Sequence, residues 1–462
     1  MSALLPCDAA LPQLAQALDA HAMAAVFAAQ LSGLQVQGCE VERVKYRPAR
    51  NCTVAYRLRL HDPRQGPSFE QRVAARFCSG GDAARRYAKA RARALVASAA
   101  GPEVTHLPAL DMVAHWWPND AKLDAPQLLV DDAELRRRCL GEVVAALTAG
   151  RAGLVDHRTT LVQAVPELRV CARVELRLQY HEGGAIDTQT LYAKADLERS
   201  GAEAHAIMQA LSDSPAQAAG RLCTPRPLLW QAQAGLHWQR GVPGRALEDV
   251  YPQVGVAMST RVGRQLAALH DTPVPATATV AVHTLRAQVY QAVTLLEQVR
   301  PAWRSVLHRL ARRLDVGAAA LAGQAAVTLH GDLHPRNILV DGSHIALIDL
   351  DSVCRGPAVV ELGGWVADMH HRALLSGRPA QQTAQSVDAF LAAYAQASGQ
   401  PVKPALLAWS VAHHLLCKRA YRGVANLKPG RFEAVPRLLA LADAIVGAGS
   451  IQGAALPVQE AA

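Results

Sequence analysis

Hydrophobic and polar residues alternate along much of the first 80 positions, after an amphipathic start. Residues 8–33 have the spacing of an amphipathic helix, and residues 41–60 alternate on either side of a Pro-Ala-Arg-Asn turn. An apolar run at 73–77 precedes Gly-Gly-Asp and a basic stretch with helical spacing. A period of two is typical of strands, and a period near 3.6 is typical of helices. After the initial helix, the pattern therefore predicts strand, turn, strand, strand and helix.

The same order of elements returns 118 residues later. At that offset, without gaps, Val162–Leu178 aligns with Val44–Leu60, and the identical pairs include Pro48/Pro166, Leu58/Leu176, Arg59/Arg177, Leu60/Leu178, Ala75/Ala193 and Ala84/Ala202. The shared order indicates an internal duplication. Chance similarity between two Ala- and Arg-rich stretches is the alternative. The remainder, from about 252 to 447, has mostly helical spacing that short strands interrupt near 325–357.

Composition indicates a folded chain without a membrane-spanning helix. Half of the 462 residues are hydrophobic and 19% are charged, which excludes a disordered chain. No stretch reaches about 18 apolar residues without a polar break, and the start lacks the basic region of a secretory signal. The nine cysteines are scattered, without a Cys-x-x-Cys pair, so we expect free thiols and a cytoplasmic protein.

Positive charge is concentrated towards the C-terminus. The net charge is +9, and residues 371–445 contain nine Lys or Arg against three acidic residues. Such an excess favours anionic partners in general. Because no aromatic RNA-binding signature or helix-turn-helix pattern accompanies it, we do not expect nucleic acid as a partner.

The strongest chemical signal is VTLHGDLHPRNILVDGSHIALIDLDS at residues 327–352. Asp-Gly at 341–342 predicts a hairpin turn. If Val340 pairs with Ile345, Asn337 lies opposite Ile348, so that Asn337 and Asp349 meet at the open end of the hairpin. The loop containing Asp332 leads into the same end. Oxygen donors of this kind suit Mg²⁺, and a carboxylate there could accept a proton from a hydroxyl. An Asp-Gly hairpin with incidental acids is the alternative.

The sequences HGDLHPRNILV and LIDLD resemble the catalytic and metal-binding segments of the aminoglycoside phosphotransferase/choline kinase-like family. The resemblance implies that Asp332 is the catalytic base, that Asn337 and Asp349 bind Mg²⁺, and that His330 and His334 brace the loop. It is strongest over 327–365 and weaker over about 160–445. Three further segments contribute to it: RGPAVVELGGW at 355–365, with Glu361 where the family usually has Asp, LAALHDTPVP at 266–275, and AHHLLCKRAYRGVANLKPGRF at 412–432.

The kinase-like fold of this family implies a Lys on a strand of a small lobe and a Glu on the next helix. The second copy supplies both residues. Lys194 would hold the α- and β-phosphates of a nucleotide, and Glu203 would position Lys194. Each has another reading. Lys194 could be a charge on an edge strand, and Glu203 fits a helix capping box with Ser200.

The first copy has Arg76 and Arg85 at the positions equivalent to Lys194 and Glu203. Two arginines cannot form the expected ion pair, so we expect this copy to keep the shape of the lobe without nucleotide binding.

The turn that should cover the phosphates, at 165–169, contains no Gly. Glu167 in this turn would repel phosphate unless it points away, and Arg169 could compensate by binding the nucleotide.

These observations predict an α+β chain with a bilobal protein-kinase-like fold, in which a small β-rich lobe precedes a large helical lobe. A degenerate copy of the small lobe comes before both. The expected boundaries are an N-terminal α/β domain at 1–155, the small lobe at 156–240, the helical lobe with the catalytic segment at 241–447, and a flexible tail at 448–462.

The resemblance implies an ATP- and Mg²⁺-dependent phosphotransferase that acts on a hydroxyl of a small molecule, with GTP as the other possible nucleotide. Aminoglycosides are polycations and require an acidic wall, whereas residues 371–445 are basic. We therefore expect a sugar-like or anionic metabolite as the acceptor. The alternative is a pseudokinase-type nucleotide-binding or regulatory module with little turnover, which the Gly-free turn and the degenerate copy favour.

Overall fold

The computed structural model describes residues 8–64, 66–198, 200–427 and 431–452. Most of the predicted C-terminal tail, and residues 428–430 of the C-terminal family-like segment, lie outside the described residues. The chain divides into two compact units. The first runs to Gly201 and includes Leu228–Trp238 and a short segment after Val424. The second consists of Ala202–Pro227, Gln239–Val424 and the C-terminal helix.

The first unit contains a five-stranded sheet with the strand order β1-β2-β3-β5-β4. Its strands are β1 (Gln35–Arg47), β2 (Asn51–His61), β3 (Phe69–Cys78), β4 (Val104–Leu107) and β5 (Met112–Trp116). Its helices are α1 (Leu14–Leu18), α2 (Ala20–Ala28) and α3 (Asp82–Arg91). The single helix predicted at 8–33 is interrupted because the Asp19 side chain accepts hydrogen bonds from the backbone of His21 and Ala22 and so begins α2.

A second sheet in the same unit has the equivalent order, β6-β7-β8-β10-β9. Its strands are β6 (Ala152–Val165), β7 (Arg169–Tyr180), β8 (Ile186–Asp196), β9 (Pro227–Gln231) and β10 (Leu236–Arg240). The helices α4 (Ala125–Val130), α5 (Asp132–Leu135) and α6 (Gly141–Thr148) precede it. Alternate residues of its central strands, among them Val174, Leu176, Leu191 and Ala193, are fully buried, as the period of two requires.

The two sheets have the same register at an offset of 118 residues. Asn51 pairs with Cys78 in the first sheet, and Arg169 pairs with Asp196 in the second. The first strand of each sheet also has a register shift at the equivalent place, Val36/Gly38 and Leu154/Asp156. Because a one-residue slip would turn every side chain to the other face, matching registers are what a duplication of one structural unit would produce.

The second unit is mainly helical. Its helices are α7 (Gly201–Ser212), α8 (Pro215–Ala218), α9 (Leu247–Asp271), α10 (Val282–Val299), α11 (Arg304–Ala318), α12 (Ala358–Ser376), α13 (Ala380–Ser398), α14 (Pro404–His414), α15 (Tyr421–Ala425) and α16 (Val435–Ala448). Short strands interrupt them: β11 (Arg245–Ala246), β12 (Ala326–Leu329), β13 (Ile338–Asp341), β14 (His344–Leu347) and β15 (Cys354–Pro357). The strand β12 pairs with β15, and β13 lies between β11 and β14.

The mixed α+β class predicted from the sequence is confirmed, and an additional N-terminal sheet is present. Within the described ranges, every helix is too short or too polar to cross a membrane.

Candidate active site

The hairpin β13–β14 has the register that the sequence predicted. Val340 pairs with Ile345, and the backbone N–H of Ile348 donates to the carbonyl of Asn337 at 2.9 Å. Asn337 therefore lies opposite Ile348, directly beside Asp349 in the chain. The backbone pairing thus brings Asn337 and the residue before Asp349 together at the open end of the hairpin, as predicted.

Asn337 is buried, and its amide is held in one orientation. Its backbone N–H donates to the carbonyl of His334 at 2.8 Å, and its Nδ2 donates to the carbonyl of Asp332 at 3.0 Å. Because the amide nitrogen is used in this way, the amide oxygen is the atom that remains to bind a metal. The same contact ties Asn337 to the loop that contains Asp332.

Glu361 holds the backbone of the loop that precedes Asp332. Its two carboxylate oxygens accept from the N–H of His330 at 2.8 Å and of Gly331 at 2.7 Å, and its Oε2 lies 3.1 Å from His270 Nε2. Burial would raise the pKa of Glu361, but the His270 imidazole and the His330 backbone outweigh it and lower the pKa. The carboxylate is therefore ionised and acts as an internal anchor for the loop.

The two predicted bracing histidines contact the loop in different ways. The ring of His330 is fully buried, and its Nε2 lies 2.9 Å from the carbonyl of Ile348, which links the loop to the end of β14. His334 Nε2 lies 3.6 Å from Asp332 Oδ2. His330 thus positions backbone, whereas His334 lies beside the predicted base.

Asp332 is paired with a cation from the C-terminal helices. Lys418 Nζ lies 2.5 Å from Asp332 Oδ1, in a π-helical segment (Leu415–Ala420) that follows α14. Burial alone would raise the pKa of Asp332, but the neighbouring His334 and the charges of Lys418 and Arg422 hold it well below its usual range. Asp332 is therefore a carboxylate at neutral pH.

Further ion pairs surround this contact. Asp368 of α12 binds Arg372 at 2.6 Å and Arg419 at 3.0 Å. Glu248, near the start of α9, pairs with both Arg336 and Arg372. These contacts join the catalytic loop, α9, α12 and the C-terminal helices. From the sequence, the positive charges of 371–445 were visible only as a local excess. Their pairing with an acid as distant as Glu248 could not be predicted.

Asp349 adopts a backbone conformation that is uncommon for a residue with a side chain. Its φ is +61°, in the left-handed region, immediately before the 3₁₀ turn Leu350–Ser352. Gly331 has a φ of +81°, and a Cβ there would lie 2.0 Å from the carbonyl oxygen of Ser352. The two loops of the motif are therefore packed backbone against backbone, and strain of this kind is concentrated at functional sites.

The chemistry of the donor set fits Mg²⁺. In the described part of the chain, no group of three or more His, Cys, Asp or Glu side chains is arranged to hold a metal ion. The predicted site instead combines one carboxylate, Asp349, with the amide oxygen of Asn337. Mg²⁺ prefers oxygen ligands and often uses only one or two protein ligands together with water and substrate phosphates. These two residues would hold the ion by their side-chain oxygens.

The predicted nucleotide-binding residues lie on the expected elements. Lys194 is on β8 opposite Cys171, on the face that alternates with buried Ala193 and Ala195. Glu203 is in the first turn of α7, where its Oε1 accepts a hydrogen bond from the Thr277 hydroxyl at 2.8 Å.

Arg169 begins β7, and its Nε lies 3.7 Å from Asp196 Oδ2. Contacts of Lys194, Glu203 and Arg169 with a nucleotide stay predictions.

A large cavity of about 1320 Å³ lies elsewhere in the second unit. His270, Tyr394 and the side of α9 line it, together with Arg264 and Lys403. Among the described residues, the lining of this cavity does not include Asp332, Asn337 or Asp349. The volume of the cavity therefore does not mark it as the candidate active site.

Comparison with known proteins supports the family resemblance. Residues 189–409 match the sequence profile of APH, the Phosphotransferase enzyme family. The matched range includes the loop at Asp332, the hairpin and α12. No curated protein matches the chain.

Several solved structures are similar at low identity. A thermostable mutant of the aminoglycoside phosphotransferase APH(4)-Ia, in a ternary complex with ADP and hygromycin B, is 16% identical, with a TM-score of 0.44 over 64% of this chain and 95% of that one. A choline/ethanolamine kinase family protein from Mesorhizobium loti is 17% identical, with a TM-score of 0.44 over 70% of this chain and 100% of that one. The choline kinase LicA from Streptococcus pneumoniae is 13% identical, with a TM-score of 0.42 over 66% of this chain and 99% of that one.

These structural similarities are too remote to assign roles to residues, so the assignment depends on the family profile and the motif. The family resemblance inferred from the motif at 327–365 is confirmed by the match of residues 189–409 to the Phosphotransferase enzyme family.

Proposed function

We propose that this protein transfers the γ-phosphoryl group of ATP, or of GTP, to a hydroxyl of a small anionic molecule. The observation that carries the proposal is the contact between Lys418 and Asp332, which places a cation beside the group expected to meet the acceptor. The motif geometry, the oxygen ligands for Mg²⁺ and the family profile support the reaction type.

Asp332 orients the acceptor hydroxyl and takes its proton as the oxygen attacks the γ-phosphorus and the bond to the β-phosphate oxygen breaks. Because its pKa is lowered, Asp332 is ionised at neutral pH and has an oxygen free of a proton to accept one from the hydroxyl. Asn337 and Asp349 would hold Mg²⁺, which neutralises charge on the phosphate oxygens when bound. Lys194 would bind the α- and β-phosphates, and Glu203 would position that lysine.

The surroundings of Asp332 favour an acceptor that carries negative charge. The charges of Lys418 and Arg422 both lower its pKa, so their positive potential reaches the position of the acceptor. Burial lowers the pKa of Lys418 itself, although its pairing with Asp332 acts in the opposite direction. A carboxylate or phosphate group on the acceptor would add a second anionic partner for this buried ammonium group, whereas a polycationic aminoglycoside would be repelled.

We further propose that the first sheet is a degenerate copy of the small lobe that has lost nucleotide binding. The matching registers support the common origin. Arg85, at the position of Glu203, pairs with Asp82 at 2.6 Å on an exposed surface of α3. The lobe boundaries at 155, 240 and 447 belong to this proposal.

The acceptor class can be tested with matched pairs of polyols and their phosphate or carboxylate derivatives, using labelled ATP. We expect transfer to the anionic member of each pair, and we expect Lys418→Met to raise the KM for that acceptor at least about tenfold, the effect of one lost charged hydrogen bond. Lys403→Met, at the start of α14, is the control. Transfer to aminoglycosides alone would contradict the anionic acceptor. Binding of Mg·ATP without turnover on any acceptor would favour the pseudokinase alternative.

A further inference from the structure

The Gly-free turn between β6 and β7 is held by the N-terminal sheet. Glu167, at the tip of this turn, lies 2.6 Å from Arg76 of β3 through the carboxylate and guanidinium groups. Both side chains are 14% exposed, so the pair is largely withdrawn from solvent. Lys122 Nζ approaches the other carboxylate oxygen at 3.8 Å. Glu167 is therefore paired with a largely buried arginine and approached by a more exposed lysine of the same chain.

The backbone of the turn is also fixed from the N-terminal side. Glu167 has a φ of +60°, and its N–H donates to Asp120 Oδ2 at 2.9 Å. The other oxygen of Asp120 accepts from the backbone N–H groups of Lys122 and Leu123, so Asp120 is itself anchored. The N–H at the tip of a phosphate-covering turn is the donor that would otherwise face a phosphate, and here a carboxylate of the same chain uses it.

In the equivalent turn of the first copy, a backbone N–H also donates to an aspartate carboxylate. Ala49, 118 residues before Glu167, has a φ of +56°, and its N–H donates to Asp8 Oδ2 at 2.8 Å. Ala49 lacks a carboxylate, so the acid ligand is specific to the second copy. The position of Arg76 is equally specific, because it corresponds to Lys194 of the second copy. At the position where the second copy has Lys194, the first sheet therefore has an arginine that binds Glu167.

We propose that the N-terminal sheet is a positioning element for nucleotide binding, in which Arg76 binds Glu167 as an internal anion and Asp120 caps the turn. A small cavity of about 100 Å³ lies at this contact, lined by Arg76, Arg86 and Lys89 and by Pro166 and Glu167 of the turn. Holding Glu167 there keeps its charge away from the triphosphate. This inference rests on the proposed nucleotide-dependent function.

The test compares Arg76→Gln, Glu167→Gln and the double variant with Arg57→Gln as the control. Arg57 lies on the neighbouring strand β2 and pairs with Glu40 on an exposed face. Two readouts are used: amide hydrogen exchange of residues 165–169, and the Kd for Mg·ATP measured by calorimetry. Arg76→Lys, which keeps the charge, serves as a second variant if Arg76→Gln does not fold.

We expect Arg76→Gln to speed exchange of the turn amides and to weaken Mg·ATP binding roughly tenfold, because an unpaired carboxylate then repels the phosphates. The double variant should recover the wild-type Kd to within about threefold, since it removes the free charge. Arg76→Lys should have a smaller effect than Arg76→Gln in both readouts, and Arg57→Gln should change neither.

Unchanged exchange and Kd in folded Arg76→Gln would overturn the inference, as would a double variant as weak as Arg76→Gln. If Arg76→Gln does not fold, unchanged exchange of the turn amides in Glu167→Gln would overturn it. Wild-type protein that binds no Mg·ATP would contradict the proposed function instead. The exchange of residues 165–169 would then still decide whether Arg76 holds the turn.

Discussion

Glu361 shows how one residue can determine the geometry of a catalytic loop. It is almost fully buried, yet it accepts hydrogen bonds from two successive backbone N–H groups and contacts His270. The family usually has the shorter Asp at this position. The pairing with His270, whose Nδ1 also contacts Tyr394 at 2.8 Å, gives the longer side chain a second partner on α9.

Replacing Glu361 by Gln should destabilise the fold by about 3 kcal/mol, since an amide NH₂ would face a backbone donor and a buried charged contact would be lost. The lowered pKa of Glu361 means that its contribution is complete above about pH 4.5 and is lost as the pH falls through the folded-state pKa. Urea unfolding at pH 7 and at pH 4 measures both effects, and the difference from wild type should be smaller at pH 4.

Glu297→Gln is the matched control, because Glu297 forms surface contacts with Arg304 and His308. Equal stability losses in the two variants would contradict the anchoring role of Glu361.

Single residues also show where sequence reasoning succeeded and where it did not. The register that brings Asn337 opposite Ile348, beside Asp349 in the chain, was predictable because a hairpin of known turn type fixes register over a few residues. Lys418 was only one of several positive charges, because its contact with Asp332 spans 86 residues. Glu167 was expected to repel phosphate unless it points away, and no short-range pattern could reveal its partner Arg76 on the other sheet.

At the scale of elements, the loop before Asp332 and the 3₁₀ turn after Asp349 are in direct contact. Gly331 permits this contact, because any side chain there would collide with the carbonyl of Ser352 and would also be strained by the positive φ. The hairpin β13–β14 and the two loops at its open end are therefore packed together. The order of strand, loop, hairpin and Asp was predictable, whereas the contact between the loops was not.

Gly331→Ala should reduce kcat at least about a hundredfold, because the loop must move by more than an ångström and such misplacement is costly. Gly342→Ala is the control at the turn of the same hairpin. It also has a positive φ, of +54°, but its Cβ would meet no atom within 4 Å. We expect it to cost only about 1 kcal/mol of stability, the left-handed penalty, with activity retained.

Steady-state kinetics and thermal unfolding of the two variants separate these effects. Equal kcat values for the Gly331 and Gly342 variants would show that the close approach of the loops does not matter for catalysis.

At the scale of the whole molecule, the chain contains two sheets of the same strand order, and residues 189–409 match a phosphotransferase family. The sequence indicates the proposed duplication mainly by a repeated order of elements, because few residues are identical at the offset of 118. The backbone registers of the two sheets agree far more closely than their residues do, since register is fixed by burial of alternate residues. How the first sheet serves the second could not be predicted, because that depends on contacts between their turns and strands.

The central claim is that Asp332 is the base in phosphoryl transfer from Mg·ATP. The most direct test is a parallel measurement of Mg·ATP affinity and of phosphate transfer to an anionic acceptor in wild type and Asp332→Asn. We predict an unchanged Kd for Mg·ATP and a loss of transfer of about a hundredfold or more, the usual contribution of a general base. Transfer at the wild-type rate in Asp332→Asn would contradict the account.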